Sequence, residues 1–228
     1  MLFRQLIDLE TSTYTYLIAD EESKQAILVD SVKERIERDL KLLEELGLRL
    51  AYTFETHVHA DHIMAAAMLK EKTGCLGVVP KNANVACSDI ELDDGETIKL
   101  GNVLIKAIAT PGHTDSHNAY LVDRLYLLTG DSLLIRGCGR TDFQSGNSAL
   151  MFNSVTEKFF KLPGAVIVCP GHDYNGFTMS TIHEEISFNP RFKGKSEAEF
   201  VELMNGLNLP NPKKMMEAVP ANQKCGGK

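Results

Sequence analysis

Short apolar runs separated by polar turns dominate the first thirty positions, and the N-terminus enters strand-like alternation almost at once. "YTYLIAD" (14–20) and "QAILVD" (25–30) predict two strands joined by the turn "EESK". The period then changes. In "VKERIERDLKLLEEL" (32–46), Val32, Ile36, Leu40, Leu43 and Leu46 recur at helical spacing, and Gly47 stands where a helix C-cap belongs. "LAYTF" (50–54) predicts a buried strand, residues 63–72 a helix, and "LGVVP" (76–80) a further strand. Residues 97–128 are rich in strand-like runs: "TIKLG", "VLIKAIAT", "NAYLV" and "LYLLTG". "SALMFNSVTEKFFKL" (148–162) returns to helical spacing, and "AVIVCPGH" predicts another strand.

Strands and helices therefore mix in two successive halves, with strands ending in loops that carry His or Asp. This predicts two sheets flanked by helices. A dinucleotide-binding sheet is disfavoured, because no G-x-G-x-x-G follows the first strand. After about residue 178 the pattern is helical and polar, with prolines at 190, 210, 212 and 220. The expected organisation is a main domain over 1–178 and a helical extension over 179–228 packed on it.

Composition narrows the class. The chain has 228 residues, 43% apolar and 24% charged, which suits a globular core. A net charge of −7 without a basic block argues against a nucleic-acid partner, since such binding needs cationic contacts to phosphate. No run approaches the ~20 apolar residues of a membrane span. The N-terminus lacks the basic-then-apolar pattern of a secretory leader and the Arg-rich pattern of a transit peptide, so a cytoplasmic location is expected. Cys75, Cys87, Cys138, Cys169 and Cys225 form no C-x-x-C pair and read as small buried residues in a reducing compartment. Cys138 alone draws attention, for its glycine-rich setting.

The histidines are unevenly spread. Three of seven fall within "HVHADH" (57–62), together with Asp61. Imidazole and carboxylate are the usual ligands of Zn, Fe and Mn. His57 and His59 project to the same side if that stretch is extended, and Asp61 is either a ligand or a helix N-cap. His113 in "ATPGHTDSH", Asp131 in "LYLLTGDSL" and His172 in "VIVCPGHDY" each follow an apolar strand and a glycine. His117 and His183 fall outside this scheme and read as ordinary polar or core histidines.

The succession "THVHADH…PGHTDSH…GD…PGHDY" over 56–174 resembles the metallo-β-lactamase superfamily. That resemblance implies an αββα sandwich with a metal site at one edge of its sheets. Two subgroups share these residues: dinuclear glutathione thioester hydrolases of the glyoxalase II type, and persulfide dioxygenases with one Fe(II). The flanking "RGCGRTDFQSGN", "PGHDYNGFTMSTIHEEISFNPRF" and "LMNGLNLPNPKKMMEAVPANQKCG" look like the dioxygenases. The C-terminal segment is also too short for the helical substrate domain of the hydrolases. By resemblance, His57, His113 and Asp131 would hold one Fe(II) per chain, leaving open positions for sulfur and O2. His59, Asp61, His62 and His172 would orient those ligands and hold waters. The substrate would be glutathione persulfide, oxidised with O2 and water to sulfite and glutathione. Arg140, Tyr174, Arg191 and Asn222 would bind it, Arg140 offering a fork for glutathione carboxylates. The resemblance further implies a homodimer. A metal-carrying protein without turnover is a third reading, set apart by a turnover assay. Cys138 has no neighbouring histidine base in sequence and is expected to pack or sense redox state rather than catalyse.

Overall fold

The expected strands, with short ones at Ile90–Leu92 and Ser180–Thr181 that the pattern does not predict, assemble into two six-stranded sheets, described by a computed structural model over residues 1–207, 209 and 214–224. The first sheet runs β1 (Leu2–Asp8), β2 (Thr13–Asp20), β3 (Gln25–Val29), β4 (Arg49–Phe54), β5 (Leu76–Pro80) and β6 (Ile90–Leu92), side by side in chain order. β1 to β3 pair antiparallel, whereas β3 to β6 pair parallel. Parallel neighbours need a crossover, and α1 (Ile36–Glu45) and α2 (Ala66–Thr73) supply the first two. β3 and β4 consequently end on the same edge of the sheet. That edge receives Asp30 and the loop 55–65.

The helices start later than periodicity suggests. Residues 33–35 form a single 3-10 turn before α1. α1 ends before Leu46, and Gly47 follows in the left-handed region at φ 63°. Ile36 and Leu43 bury against Leu17, Leu28 and Leu50, each apolar side chain contributing roughly 1.5–3 kcal/mol relative to exposure. The helix expected at 63–72 begins at Ala66. Met64 forms a bridge to Val32, the Lys33 N–H donates to the Ile63 carbonyl, and the Ala65 N–H donates to the Ser31 carbonyl. Those pairings take residues 63–65 out of the helix.

The second sheet has the order β12-β11-β10-β9-β8-β7. Its members are β7 (Thr97–Leu100), β8 (Val103–Ala109), β9 (Asn118–Val122), β10 (Tyr126–Gly130), β11 (Ile167–Pro170) and β12 (Ser180–Thr181). β10 and β11 are parallel. Their crossover contains α3 (Ser148–Asn153), continued by a π-helical stretch, Ser154–Phe159. The expected helix over 148–162 is thus one α segment and one π segment. Met151, Val155 and Phe159 pack into a core with Val168, Ile182, Phe192, Phe200 and Met204.

Two compact units result. Residues 1–92 and 97–105, with the C-terminal residues from 214, form one; residues 93–96 and 106–207 form the other. Among the described residues α4 (Ile182–Phe188), α5 (Glu197–Asn205) and α6 (Met215–Gln223) follow β12. α5 carries a capping box between Ser196 and Glu199, and α4 is capped by the Thr181 hydroxyl. Among the described residues no helix is long and apolar enough to cross a membrane. Cys75 and Cys169 are buried free thiols as expected, but Cys87 departs from expectation and is engaged in a disulfide. Pro210, Pro212 and Cys225 lie outside the described residues.

Candidate metal centre

In the first unit the donor cluster occupies the loop that leaves β4. Asp61 is not a helix cap, since α2 opens only at Ala66 with Ala65 as its N-cap. The loop folds three imidazoles together: ring centroids of His57 and His59 are 4.1 Å apart, those of His59 and His62 4.3 Å. All three rings are buried. Ligand-type atoms of His59, Asp61 and His62 lie within 4.8 Å of one another, as do those of Asp30, Glu55 and His59.

Asp30 organises this loop. It sits in the left-handed region at φ 52°, which short polar side chains tolerate better than bulky ones. Its carboxylate accepts from the Thr56 N–H at 2.7 Å, from the Thr56 hydroxyl at 2.9 Å and from His59 Nε2 at 3.2 Å. The Thr56 hydroxyl spends its one proton on Asp30. It must then accept from His57 Nδ1, 2.9 Å away. That bond sets the tautomer of His57 and leaves Nε2 with its lone pair for a metal.

His59 also lies 3.5 Å from Glu55 and 3.9 Å from Asp61. Burial depresses its imidazolium, but the carboxylates of Asp30, Glu55 and Asp61 outweigh burial and push its pKa up to about 10. Burial raises Glu55 to about 7, against the stabilising contact with His59. Asp61 accepts from His62 Nδ1 at 2.9 Å and from the Thr13 hydroxyl at 3.1 Å. Asn222, on α6, is wholly buried. Its carboxamide oxygen accepts from the Met64 N–H, and its nitrogen donates to the carbonyls of His59 and His62, each at 2.9 Å. Its polar atoms are committed to the loop backbone rather than to a surface that substrate touches.

In the second unit the donors come from three strand ends. Asp131 follows β10 and His172 follows β11, and the parallel pairing of those strands delivers them together. His172 Nδ1 donates to Asp131 Oδ1 at 2.7 Å, and His113 Nε2 is 3.5 Å from Asp131 Oδ2. His113 Nδ1 is 2.8 Å from the Arg140 carbonyl. A carbonyl only accepts, so the proton is on Nδ1 and Nε2 is the ligand atom. His172 keeps Nε2 for the same reason.

Two glycines are required by close approach. A Cβ at Gly139 would stand 2.5 Å from the Asp131 carbonyl oxygen and 2.9 Å from His113 Nδ1; one at Gly171 would stand 2.9 Å from Asp131 Oδ1. The "GCG" loop thus runs with its bare backbone against two donors, and the Gly139 N–H donates to the Asp131 carbonyl at 2.7 Å.

Arg140 is half-buried and forks onto Asp142, with Nε–Oδ1 at 2.7 Å and Nη2–Oδ2 at 2.8 Å. Tyr174 is 72% exposed and stacks on His172 with ring planes 8° apart. Arg191 is half-buried, donates its N–H to Asn189, and its positive charge eases ionisation of Cys138. That effect is small beside burial, which pushes the Cys138 thiol up to about 12. Its sulfur contacts Met204 Sδ at 3.8 Å, a packing role in keeping with the sequence expectation.

Several positioning residues escape the sequence reading. Asp30, Glu55 and Thr56 are among them, although Asp30 repeats the strand-then-acid pattern of Asp131. Another is His117: buried, it accepts from the Asp131 N–H at 3.3 Å through Nε2 and pairs through Nδ1 with Thr110 and Ser132. Asp173 is a third case; it accepts from the N–H groups of Asn175 and Phe177, both at 2.8 Å, and shapes the turn that presents Tyr174. His183 is an exposed histidine on α4.

Imidazoles that keep Nε2 for a ligand, beside a carboxylate, make a donor set suited to iron, zinc or manganese. Comparison with known proteins points the same way. A family model described as the metallo-beta-lactamase superfamily matches residues 9–172. The chain is 45% identical over 228 residues to persulfide dioxygenase ETHE1, mitochondrial, of Homo sapiens, covering 99% of this chain and 89% of that protein. It resembles the crystal structure of ETHE1 from Myxococcus xanthus with a TM-score of 0.97 at 48% identity, covering 99% of this chain and 100% of that one. Hydroxyacylglutathione hydrolase of Dictyostelium discoideum is 31% identical over 173 residues, covering 71% of this chain and 62% of that protein.

Proposed function

The chain belongs to the persulfide dioxygenase family of the metallo-β-lactamase superfamily, with that superfamily's α/β sandwich fold, and on that premise we propose the chemistry of its site. It oxidises glutathione persulfide with O2 and water to glutathione and sulfite. One Fe(II) per chain is held by His57, His113 and Asp131. The observation that carries this reading is the full-length likeness to persulfide dioxygenases, against a shorter and weaker likeness to a glutathione thioester hydrolase.

Fe(II), when bound there, would supply one-electron chemistry between the persulfide sulfur and O2. The protein's own residues do the rest. Thr56 and the Arg140 carbonyl hold the Nδ1 protons of His57 and His113, so both rings present Nε2. His172 and His117 fix the Asp131 carboxylate and main chain respectively. Arg140 exchanges its fork on Asp142 for a glutathione carboxylate, a swap between equivalent bidentate pairs. The exposed Tyr174 ring flanks the same substrate.

Protein loaded anaerobically with Fe(II) and given glutathione persulfide should consume O2 on aeration and form sulfite. No O2 uptake, with hydrolysis of a glutathione thioester instead, would establish the hydrolase reading.

A further inference from the structure

We infer that α6 is a positioning element for the metal-ligand loop, with the Asn222 carboxamide as its pin. The inference rests on the functional reading above and extends it from ligands to the device that places them. Asn222 reaches the loop from 158 to 163 residues downstream, and it answers three backbone groups of residues 59–64 at once. The chemistry is specific to a carboxamide, which offers one acceptor and two donors in a fixed fork. Asp retains the acceptor but sets a negative charge against two carbonyls; Ala and Leu satisfy none of the three groups.

The pin is seated as well as bonded. Ala218 of α6 is wholly buried, and Val219 packs on a cluster that contains Val58 and Met64 of the same loop. The Ala86 N–H donates to the Gln223 carbonyl at the end of the helix. At the start of the loop Asp30 holds the Thr56 N–H; further along, Asn222 holds residues 59 to 64. His57, Asp61 and His62 lie between or beside these two anchors. Metal affinity is therefore coupled to the docking of α6. Asn222 is not a catalytic residue: it acts on the iron through the loop.

The test compares wild type, Asn222→Ala and Asn222→Asp by Fe(II) affinity in anaerobic chelator competition and by hydrogen exchange of the Met64 amide. Leu43→Val, on the buried face of α1, serves as a variant that loosens the core of the first unit and removes none of the hydrogen bonds that hold the loop. Asn222→Ala should bind Fe(II) about tenfold more weakly or worse, with faster Met64 exchange. Asn222→Asp should keep the Met64 amide slow and still lose affinity, and it carries both readouts if the alanine variant does not fold. Leu43→Val should lower the melting temperature and leave iron affinity unchanged. Iron affinity within twofold of wild type in both Asn222 variants would overturn the inference, as would an equal loss in Leu43→Val. A wild type that takes up no iron defeats the functional reading instead; unchanged Met64 exchange in Asn222→Ala then overturns the pin on its own.

Discussion

In the first unit the metal-type residues are neighbours in sequence, crowded into His57–His62, and what holds them lies elsewhere: Asp30 just past the end of β3, Asn222 near the far end of the chain. In the second unit His113, Asp131 and His172 are far apart in sequence; His172 holds Asp131 directly, and the Arg140 carbonyl holds His113. A contiguous cluster supplies density without geometry. A dispersed one, delivered by the strand ends of one sheet, comes with its geometry built in by that sheet. The first should therefore fail most through remote substitutions, and the second most through its own members.

The largest effect expected is from the donors themselves. Asp131→Ala removes a proposed ligand and the acceptor of His172 together, and should abolish both iron binding and sulfite formation, measured by metal analysis and turnover. Asp30→Ala tests the remote dependence of the first cluster. Removing one partner from a buried charged network costs about 3–5 kcal/mol, and a support of this kind affects metal affinity by about 10–100-fold. Denaturant unfolding and Fe(II) titration should show both losses, although Asp30 is no ligand. An Asp30→Ala protein with wild-type iron affinity would break the distinction drawn between the two clusters.

His117→Phe is a smaller test, on the second cluster. Removing the acceptor leaves the Asp131 N–H buried without it, at about 1–3 kcal/mol, and iron affinity should fall by about tenfold. Arg140→Ala should raise the KM for the persulfide by roughly tenfold, the worth of a charge-assisted contact, with iron content unchanged. Loss of iron would instead make Arg140 part of the support of His113.

The smallest effect concerns Cys138. Because burial raises its thiol to about 12, the thiolate is scarce at neutral pH, and alkylation should be slow there and accelerate as pH climbs toward that value. Cys138→Ala should retain turnover. Fast alkylation at pH 7 would contradict the packing role assigned to it.

Much of this molecule can be read from residue order, for reasons the two clusters share. β2, β3, β4, β5, β9 and β10 are apolar runs bounded by turns, and the sheets keep them. β6 and β12, of three and two residues, are too short to leave a period. The segment 148–162 has helical spacing throughout, but spacing does not separate an α turn from the π turn at Ser154–Phe159. At the site, every donor lies where strand-then-glycine or His-x-His patterns put it. Supporting residues are harder to see. Asn222 pairs with backbone groups, which have no signature in side-chain order, and its expected contact with substrate gives way to burial on the loop. His117 resembles any core histidine until its Nε2 is found on the Asp131 N–H. The disulfide at Cys87 likewise has no local motif.

The most direct test of the account is the metal content and product balance of a single anaerobically prepared sample. With glutathione persulfide and measured O2, it should contain one iron per chain and release one sulfite for each O2 consumed. Two metals per chain, with thioester hydrolysis and no O2 uptake, would contradict it.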